Sequence, residues 1–332
     1  MTKQPTEPFD PSVYLHSPDD LGRMHLEHAK FIKAHPGIKF GITAIDNYVI
    51  PMRPGDLTLV VGLSGHGKSS LLARLAKTTA QNIALQGAQN KECVIYCSWE
   101  QHAEELEAYF EADAEYTVSD YAWGRVTLDQ VATKAMRRAN FPLWMIGHSN
   151  KNVFKQTELL RLPIVFQAIE SMRQNYDATG DTPKPVLLCM DYAQLIPDEN
   201  GHENRYQQVS AALRATKLLG LRVGCPIVIA AQCKQEVLNR DVPIPGMYDV
   251  YESSGGAHVP DKTFGIWRPW KTHRDQQSVT LAPGVEVPVT PETFILKMSK
   301  QRMEDGERTW VLSFNMAELK LAELEIHKED LY

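Results

Sequence analysis

From Gly62 to Ser69 the chain reads G-L-S-G-H-G-K-S, directly after the apolar run Leu57–Val61 and directly before a stretch with helical spacing. Glycines at that spacing let successive backbone N–H groups converge on an anion, and the following helix adds the positive end of its dipole. Lys68 and Ser69 complete a phosphate cradle, the ammonium reaching β- and γ-oxygens and the hydroxyl ligating a divalent cation. The strand before and helix after set this run apart from a glycine-rich turn with a chance lysine. The chemistry implied is binding and hydrolysis of a nucleoside triphosphate with Mg²⁺. Gly62, Ser64, Gly65, His66, Gly67, Lys68, Ser69 and Ser70 would surround the phosphates.

Three further residues close apolar runs. Asp191 ends "PVLLCMD", where a buried strand would deliver one carboxylate to the magnesium; alone it reads equally well as a strand-end cap, and the P-loop strengthens the metal reading. Glu100 follows "CVIYCSW". It can polarise an attacking water, or sit in the first turn of a helix and favour its dipole. Gln232 ends "PIVIAAQ" and can contact the γ-phosphate and a neighbouring loop, or be a solvated strand-end amide.

These residues need a scaffold that gathers strand ends. "LTLVV", "CVIYC", "LWMI", "PVLLCM" and "PIVIAA" are short, apolar and continuous, as strands covered on both faces should be. Between them Leu71, Leu72, Leu75, Thr79 and Ile83, then Val165, Ile169, Met172 and Tyr176, then Val209, Ala212, Leu213 and Thr216 follow helical spacing. Alternating strands and helices predict a mostly parallel sheet flanked by helices, with ligands beyond the carboxyl ends of the strands. "TFGIW", "ETFILKMSKQR" and "ERTWVLSF" read as later strands, and Asp305-Gly306 predicts a hairpin between the last two.

The chain has 332 residues, 43% hydrophobic, with a formal net charge of −6. That acidity argues against a broadly basic nucleic-acid-binding surface and restricts any such contact to a few loops. The five cysteines lie in or beside apolar segments without zinc-knuckle spacing and read as buried, reduced thiols. No signal-peptide pattern or bilayer-length apolar run is present, so the expected location is the cytoplasm, without a membrane partner. Residues 1–16 read as a flexible tail and 17–36 as a helix capped by Ser17 with Pro18 in first position. Residues 37–316 form the main domain and 317–332 a second tail.

In order, "GLSGHGKS", "YCSWE", "VLLCMDYAQLI", "CPIVIAAQ", "DVYESSG" and "KMSKQR" resemble the C-terminal ATPase domain of DnaB-type replicative helicases, hexameric RecA-like proteins, from about Gly37 to Phe314. The resemblance implies a RecA-like P-loop NTPase fold with a C-terminal β-hairpin. It implies a homo-oligomeric ring or spiral, an ATP-driven helicase on single-stranded DNA moving 5′→3′, and other replication proteins as partners. Glu100 matches the family's catalytic glutamate. Lys300 and Arg302 match a pair that reaches the γ-phosphate of the adjacent subunit; residues two apart on a strand share a face, so both cations can enter one neighbouring site. A solvated charged hairpin is the alternative. Arg268 is assigned to the nucleotide as well.

For DNA the resemblance points to two loops, about 196–207 with Arg205, and about 249–261 with Tyr251, Glu252, Ser253, Ser254 and Gly255. The family typically has a basic residue where Tyr251 stands. Backbone N–H groups over 253–256 can hold phosphate, and Tyr251 can stack on a base or simply pack. Family members also carry an N-terminal helical domain that binds primase. About 36 residues precede the core here, so the expectation is a chain lacking that domain, with 17–36 as a linker-like helix. Two other readings stay open, a recombinase-like filament ATPase and a non-translocating ATPase serving as an assembly platform or helicase partner.

Overall fold

The computed structural model describes residues 15–113, 115–138, 140–150, 160–177, 183–198, 201–202, 204–250, 258–304 and 307–324. The chain divides into two units, Met1–Gly37 and Ile38–Tyr332. The first contains helix α1 (Pro18–Ala34), which begins as its sequence dictates. The Ser17 side chain accepts from the Asp20 N–H, the Asp20 side chain accepts from the Ser17 N–H, and Pro18 occupies the first helical position. It ends where the His35 N–H donates to the Phe31 carbonyl.

The strands of the second unit are β1 (Leu57–Gly62), β2 (Glu92–Ser98), β3 (Leu143–Ile146), β4 (Lys184–Asp191), β5 (Ile227–Gln232), β6 (Lys262–Trp267), β7 (Ser278–Ala282), β8 (Val285–Pro288), β9 (Thr293–Gln301), β10 (Arg308–Asn315) and β11 (Lys320–Glu323). Its helices are α2 (Thr43–Asp46), α3 (Lys68–Leu85), α4 (Ala103–Glu111), α5 (Val118–Ala122), α6 (Leu128–Arg138), α7 (Leu162–Asp177), α8 (Arg205–Val223) and α9 (Pro269–Thr272). Among the described residues, nine strands form one sheet in the order β11-β10-β9-β6-β1-β5-β4-β2-β3. From β6 to β3 all pairings are parallel. β9, β10 and β11 are antiparallel to their neighbours.

The five apolar runs become β1 to β5, and "TFGIW" becomes β6, parallel beside β1. The expected C-terminal hairpin is β9–β10. β11 pairs with β10 from Leu312–Glu323 to Asn315–Lys320, so part of the stretch expected to be a tail from residue 317 belongs to the sheet. Four residues of mixed polarity carry too little pattern to announce a strand; the ladder to β10 makes it one.

Strand alternation explains the two-sided core. On one face Val60, Val94, Tyr96, Cys189 and Val228 pack with Leu71, Leu72, Leu75 and Ile83 of α3. On the other, Leu59, Ile95, Leu188 and Ile229 pack with Val165 and Ile169 of α7 and Val209 and Leu213 of α8. Each such fully buried Leu, Ile or Val contributes about 1.5–3 kcal/mol. A third cluster seats the β7–β8 hairpin, where Val279, Val285 and Val287 meet Trp267, Ile295 and Val311. All five cysteines are free and buried. Burial pushes the Cys93, Cys225 and Cys233 thiols up to about 12, which leaves them un-ionised. No helix among the described residues is long and apolar enough to cross a membrane.

The close approach of backbone to β6 makes Gly265 irreplaceable on steric grounds. A Cβ there would lie 1.7 Å from the Pro245 carbonyl oxygen, which is backbone and cannot rotate away. Gly265→Ala is expected to destabilise the domain by about 3 kcal/mol or more. Gly87→Ala, where nothing lies within 4 Å but φ is +68°, should cost much less. Urea unfolding midpoints of the two variants check the contrast.

Candidate nucleotide-binding site

Parallel strands end on one edge of the sheet, and that edge is where β1, β2, β4 and β5 deliver Gly62, Ser98, Asp191 and Gln232 in register. Gly62 pairs with Gln232, and Ser98 with Asp191. The chain leaves β1 through a loop in which Gly65 and Gly67 adopt φ of +74° and +95°. A Cβ at Gly67 would lie 2.3 Å from the Met316 methyl, so the tight turn needs glycine for space as well as conformation. Gly67 is also the N-cap of α3. Leu71 N–H is the first to reach back, to the Gly67 carbonyl, leaving the N–H groups of Lys68, Ser69 and Ser70 without intrahelical acceptors. These open donors and the helix dipole suit an anion.

The cleft above this loop has a volume of about 230 Å³. Ser64, Gly65, Gly67, Lys68, Ser69 and Ser70 line it, together with Glu100, Asp191 and Gln232 from the other strand ends. The structure therefore brings together the sequence-predicted set of Lys68, Ser69, Glu100, Asp191 and Gln232. Gln101, Tyr109, Tyr192 and Met316 line it too and were not anticipated. Gln101 and Tyr192 each follow a predicted site residue by one position, a usable signal. Tyr109 and Met316 reach the cleft only through the packing of α4 and the end of β10.

Lys68 is buried, and its Nζ donates to the Leu63 carbonyl at 2.9 Å. Burial pulls its ammonium below the usual lysine range, opposed by the charges of Asp191 and Glu100. Asp191 is only 2% exposed. Burial raises its carboxyl, although the neighbouring hydroxyls of Ser69 and Tyr96 and the charge of Lys68 pull the other way. The Tyr96 hydroxyl donates to Oδ2 at 3.2 Å, while Oδ1 has no hydrogen-bond partner. A buried carboxylate oxygen lacking a donor, beside the hydroxyl of Ser69, fits a divalent cation, so Ser69 and Asp191 are suited to hold Mg²⁺.

Glu100 sits in the bend after β2, three residues ahead of α4, so it is not a first-turn residue of that helix. The bend is tied down at both ends: Trp99 N–H donates to the Asp191 carbonyl at 3.0 Å and Gln101 N–H to the Ser98 hydroxyl at 3.0 Å. Partial desolvation and the Asp191 charge raise the Glu100 carboxyl, a shift in the direction a general base needs. Gln232 is held by a reciprocal pair with Gln194: its N–H donates to Gln194 Oε1 and its carbonyl accepts from Gln194 Nε2, both at 3.1 Å.

Several sequence-predicted residues lie elsewhere. Gly62, His66 and Arg268 are outside the lining of the cleft. His66 is 4% exposed and its Nδ1 accepts from the Arg268 N–H at 3.1 Å, joining the P-loop to the end of β6. The Arg268 guanidinium donates to the Pro291 carbonyl at 2.6 Å. Arg205 opens α8 and its guanidinium folds onto the Gln194 carbonyl and the Gln208 side chain. Tyr251, Glu252, Ser253, Ser254 and Gly255 fall outside the described residues.

Lys300 and Arg302 are at the far edge of the sheet. β9 runs antiparallel to β6, so Ile295 pairs with Trp267 at the cleft end while Gln301 pairs with Lys262 at the other. A six-residue strand separates the two edges by about 20 Å. The strand ends at Gln301, so Lys300 lies in β9 and Arg302 in the following turn, and the shared strand face expected of the pair does not extend to Arg302.

A P-loop, a buried magnesium-suited aspartate and a strand-end glutamate, on a mostly parallel sheet with helices on both faces, define a RecA-like P-loop NTPase fold. The chain belongs to the DnaB-like helicase C terminal domain family, whose model matches residues 37–307. It is similar to the replicative DNA helicase DnaB of Mycoplasma genitalium, 20% identical over 280 residues, which is 80% of this chain and 54% of that protein. It is also similar to DnaB of Helicobacter pylori, 23% identical over 233 residues, 70% of this chain and 44% of that protein. The chain thus spans about half the length of these curated relatives. Among solved structures, an ATPase domain superposes with a TM-score of 0.72 at 15% identity, covering 94% of this chain and all of that one. A DnaB-like replicative helicase studied for its interactions with primase superposes at 0.71 and 14% identity, covering 94% of this chain and 68% of that one.

Lys68 lines the cleft and lies outside the apolar core clusters, so Lys68→Ala should abolish nucleotide turnover in a folded protein. Glu100→Gln keeps shape and loses the base; it should retain nucleotide with turnover reduced about 100-fold or more. Binding of a fluorescent ATP analogue beside phosphate release separates the two defects. Normal turnover by either variant contradicts the assignment of that residue.

His66 supplies a pH test. Burial, then the charges of Lys68, Arg268 and Lys271, lower its imidazole from 6.5 to about 4. The unfolded chain therefore binds the extra proton first, and nucleotide-free stability falls as pH drops from 6.5 towards 4. From about pH 7 to about pH 5 the loss should be roughly 2 kcal/mol, absent from His66→Asn. Urea unfolding of both proteins at the two pH values measures it.

Proposed function

We propose that this chain is the motor domain of an ATP-dependent DNA helicase that assembles around single-stranded DNA, with each nucleotide site completed by a neighbouring copy. The observation that carries the reading is the separation of the two halves of the site. Lys68, Ser69, Glu100, Asp191 and Gln232 meet at one edge of the sheet, and Lys300 and Arg302 stand at the opposite edge, about one strand length away. The pair cannot serve its own cleft, whereas a head-to-tail neighbour would bring one edge against the other. Such heterologous contacts close into rings or run on as spirals, and a ring of six accords with the resemblance.

In this reading Ser69 and Asp191 would hold Mg²⁺, which would supply positive charge to neutralise the phosphates. Lys68 and the open N–H groups of α3 hold the β- and γ-phosphates. Glu100 orients the attacking water and accepts its proton. Gln232 faces the γ-phosphate and, through its pair with Gln194, ties it to the turn whose carbonyl binds Arg205 at the start of α8. That chain of contacts offers a route from the phosphate to the first loop expected to meet DNA. Translocation 5′→3′ along the strand follows from the resemblance.

A non-translocating role, as an assembly platform or helicase partner, is favoured by the tyrosine at 251 and the net charge of −6. Strand displacement separates the two. Unwinding of a forked duplex with a 5′ tail supports the helicase, and ATP hydrolysis indifferent to single-stranded DNA, with no unwinding, supports the platform.

Action in trans has its own test. Arg302→Ala keeps an intact P-loop and should fail only as a neighbour, while Lys68→Ala has the reverse defect. Each alone should be nearly inactive, since an arginine finger contributes about 10³–10⁵ in rate. Mixed after confirmed subunit exchange, the two should partly restore ATPase activity through interfaces carrying both residues. No recovery at any ratio contradicts action in trans.

A further inference from the structure

The far edge of the sheet holds a second organised cluster, centred on Asp261. This residue immediately precedes β6 and its side chain is 6% exposed. Oδ2 accepts from the Leu57 N–H at 2.8 Å and contacts Lys217 Nζ closely, while Oδ1 lies 3.1 Å from Arg302 Nη1. The backbone is equally fixed: Asp261 N–H donates to the Leu57 carbonyl, and Arg302 N–H to the Asp261 carbonyl, both at 2.8 Å. Three residues earlier, the His258 carbonyl accepts from Lys300 Nζ at 2.9 Å. Both cations of the expected finger pair are therefore tied to the short segment 258–261.

The consequence is physical. Arg302 sits in a turn with its side chain 59% exposed, and a free arginine there would sample many rotamers. A carboxylate that is buried, anchored to β1 by a backbone N–H and unable to swing removes most of that freedom. A guanidinium has five N–H donors, so an ion pair with Oδ1 through Nη1 leaves enough to fork onto a phosphate. An exposed Lys–Glu pair would do little of this, because neither partner is fixed.

We propose that Asp261 is the positioning residue for Arg302, presenting its guanidinium towards the nucleotide of the adjacent copy. This rests on the reading of Arg302 as a residue acting in trans. It also makes segment 258–261, the end of the second stretch expected to face DNA, the support on which both cations ride. The competing role is purely structural: capping Leu57 and neutralising Lys217.

Asp261→Asn keeps an oxygen for the Leu57 N–H and removes the charge that orients Arg302. Measured as ATPase of the assembled protein with single-stranded DNA, it should lower kcat about tenfold and leave KM for ATP within about twofold. In the Arg302→Ala background the same change should add less than about twofold, because the oriented group is already gone. Mixing with Lys68→Ala should restore Asp261→Asn activity as it restores Arg302→Ala. Lys217→Met, which removes the other cation from the carboxylate, should leave kcat within about twofold. If Asp261→Asn does not fold, Asp261→Glu displaces the carboxylate with its charge retained and enters the same cycle with the same expectation.

Impaired Arg302→Ala beside wild-type-like Asp261→Asn overturns the positioning role alone, as does a full further loss in the double variant. Wild-type turnover by Arg302→Ala overturns the trans reading and this proposal with it.

Discussion

A carboxylate 2% exposed with one oxygen lacking any hydrogen-bond donor is costly to keep ionised, and Asp191 is in that position at the end of a central strand. The same desolvation lowers the ammonium of Lys68 and raises the carboxyl of Glu100. The cleft thus gathers three ionisable groups whose charges are incompletely matched by the protein. A metal-bound polyphosphate would supply the missing complement, the cation to Asp191 and the phosphates to Lys68 and the open N–H groups of α3. Much of the surrounding architecture serves to hold that imbalance: the Tyr96 hydroxyl on Oδ2, the Trp99 N–H on the Asp191 carbonyl, and the glycines that bring the loop close.

The second organising constraint is strand direction. Parallel neighbours place every carboxyl end on one edge, which assembles the cleft from residues far apart in the chain. The antiparallel β9 then carries Lys300 and Arg302 away to the other edge. One sheet consequently bears the phosphate-suited cleft on one edge and the two cations on the other. In the proposed reading these are complementary half-sites, and completing either would take a second copy.

Much of this was legible in the sequence because it is written in strand ends. Apolar runs closed by Asp191, Glu100 or Gln232, and the glycine pattern before Lys68, carry their chemistry locally. What depends on distant pairing was not legible. Met316 meets Gly67 only because β10 returns beside β9; Tyr109 enters the cleft through the packing of α4; and the Gln194–Gln232 exchange requires β4 and β5 to be neighbours. Arg302 shows the same limit: its spacing from Lys300 suggested a shared strand face, but β9 ends at Gln301 and leaves it in a turn. His66 reads from its motif as a phosphate residue, yet its ring is buried against the Arg268 N–H.

The central claim is that two opposite edges meet across a copy boundary to complete a nucleotide site around DNA. Cryo-electron microscopy of the protein with a slowly hydrolysed ATP analogue, Mg²⁺ and single-stranded DNA tests it most directly. The account predicts a closed ring or spiral with DNA in its channel, each analogue bounded by Lys68 and Asp191 of one copy and by Lys300 and Arg302 of the next. Nucleotide-bound monomers, or an assembly in which those cations face solvent away from every nucleotide, would contradict it.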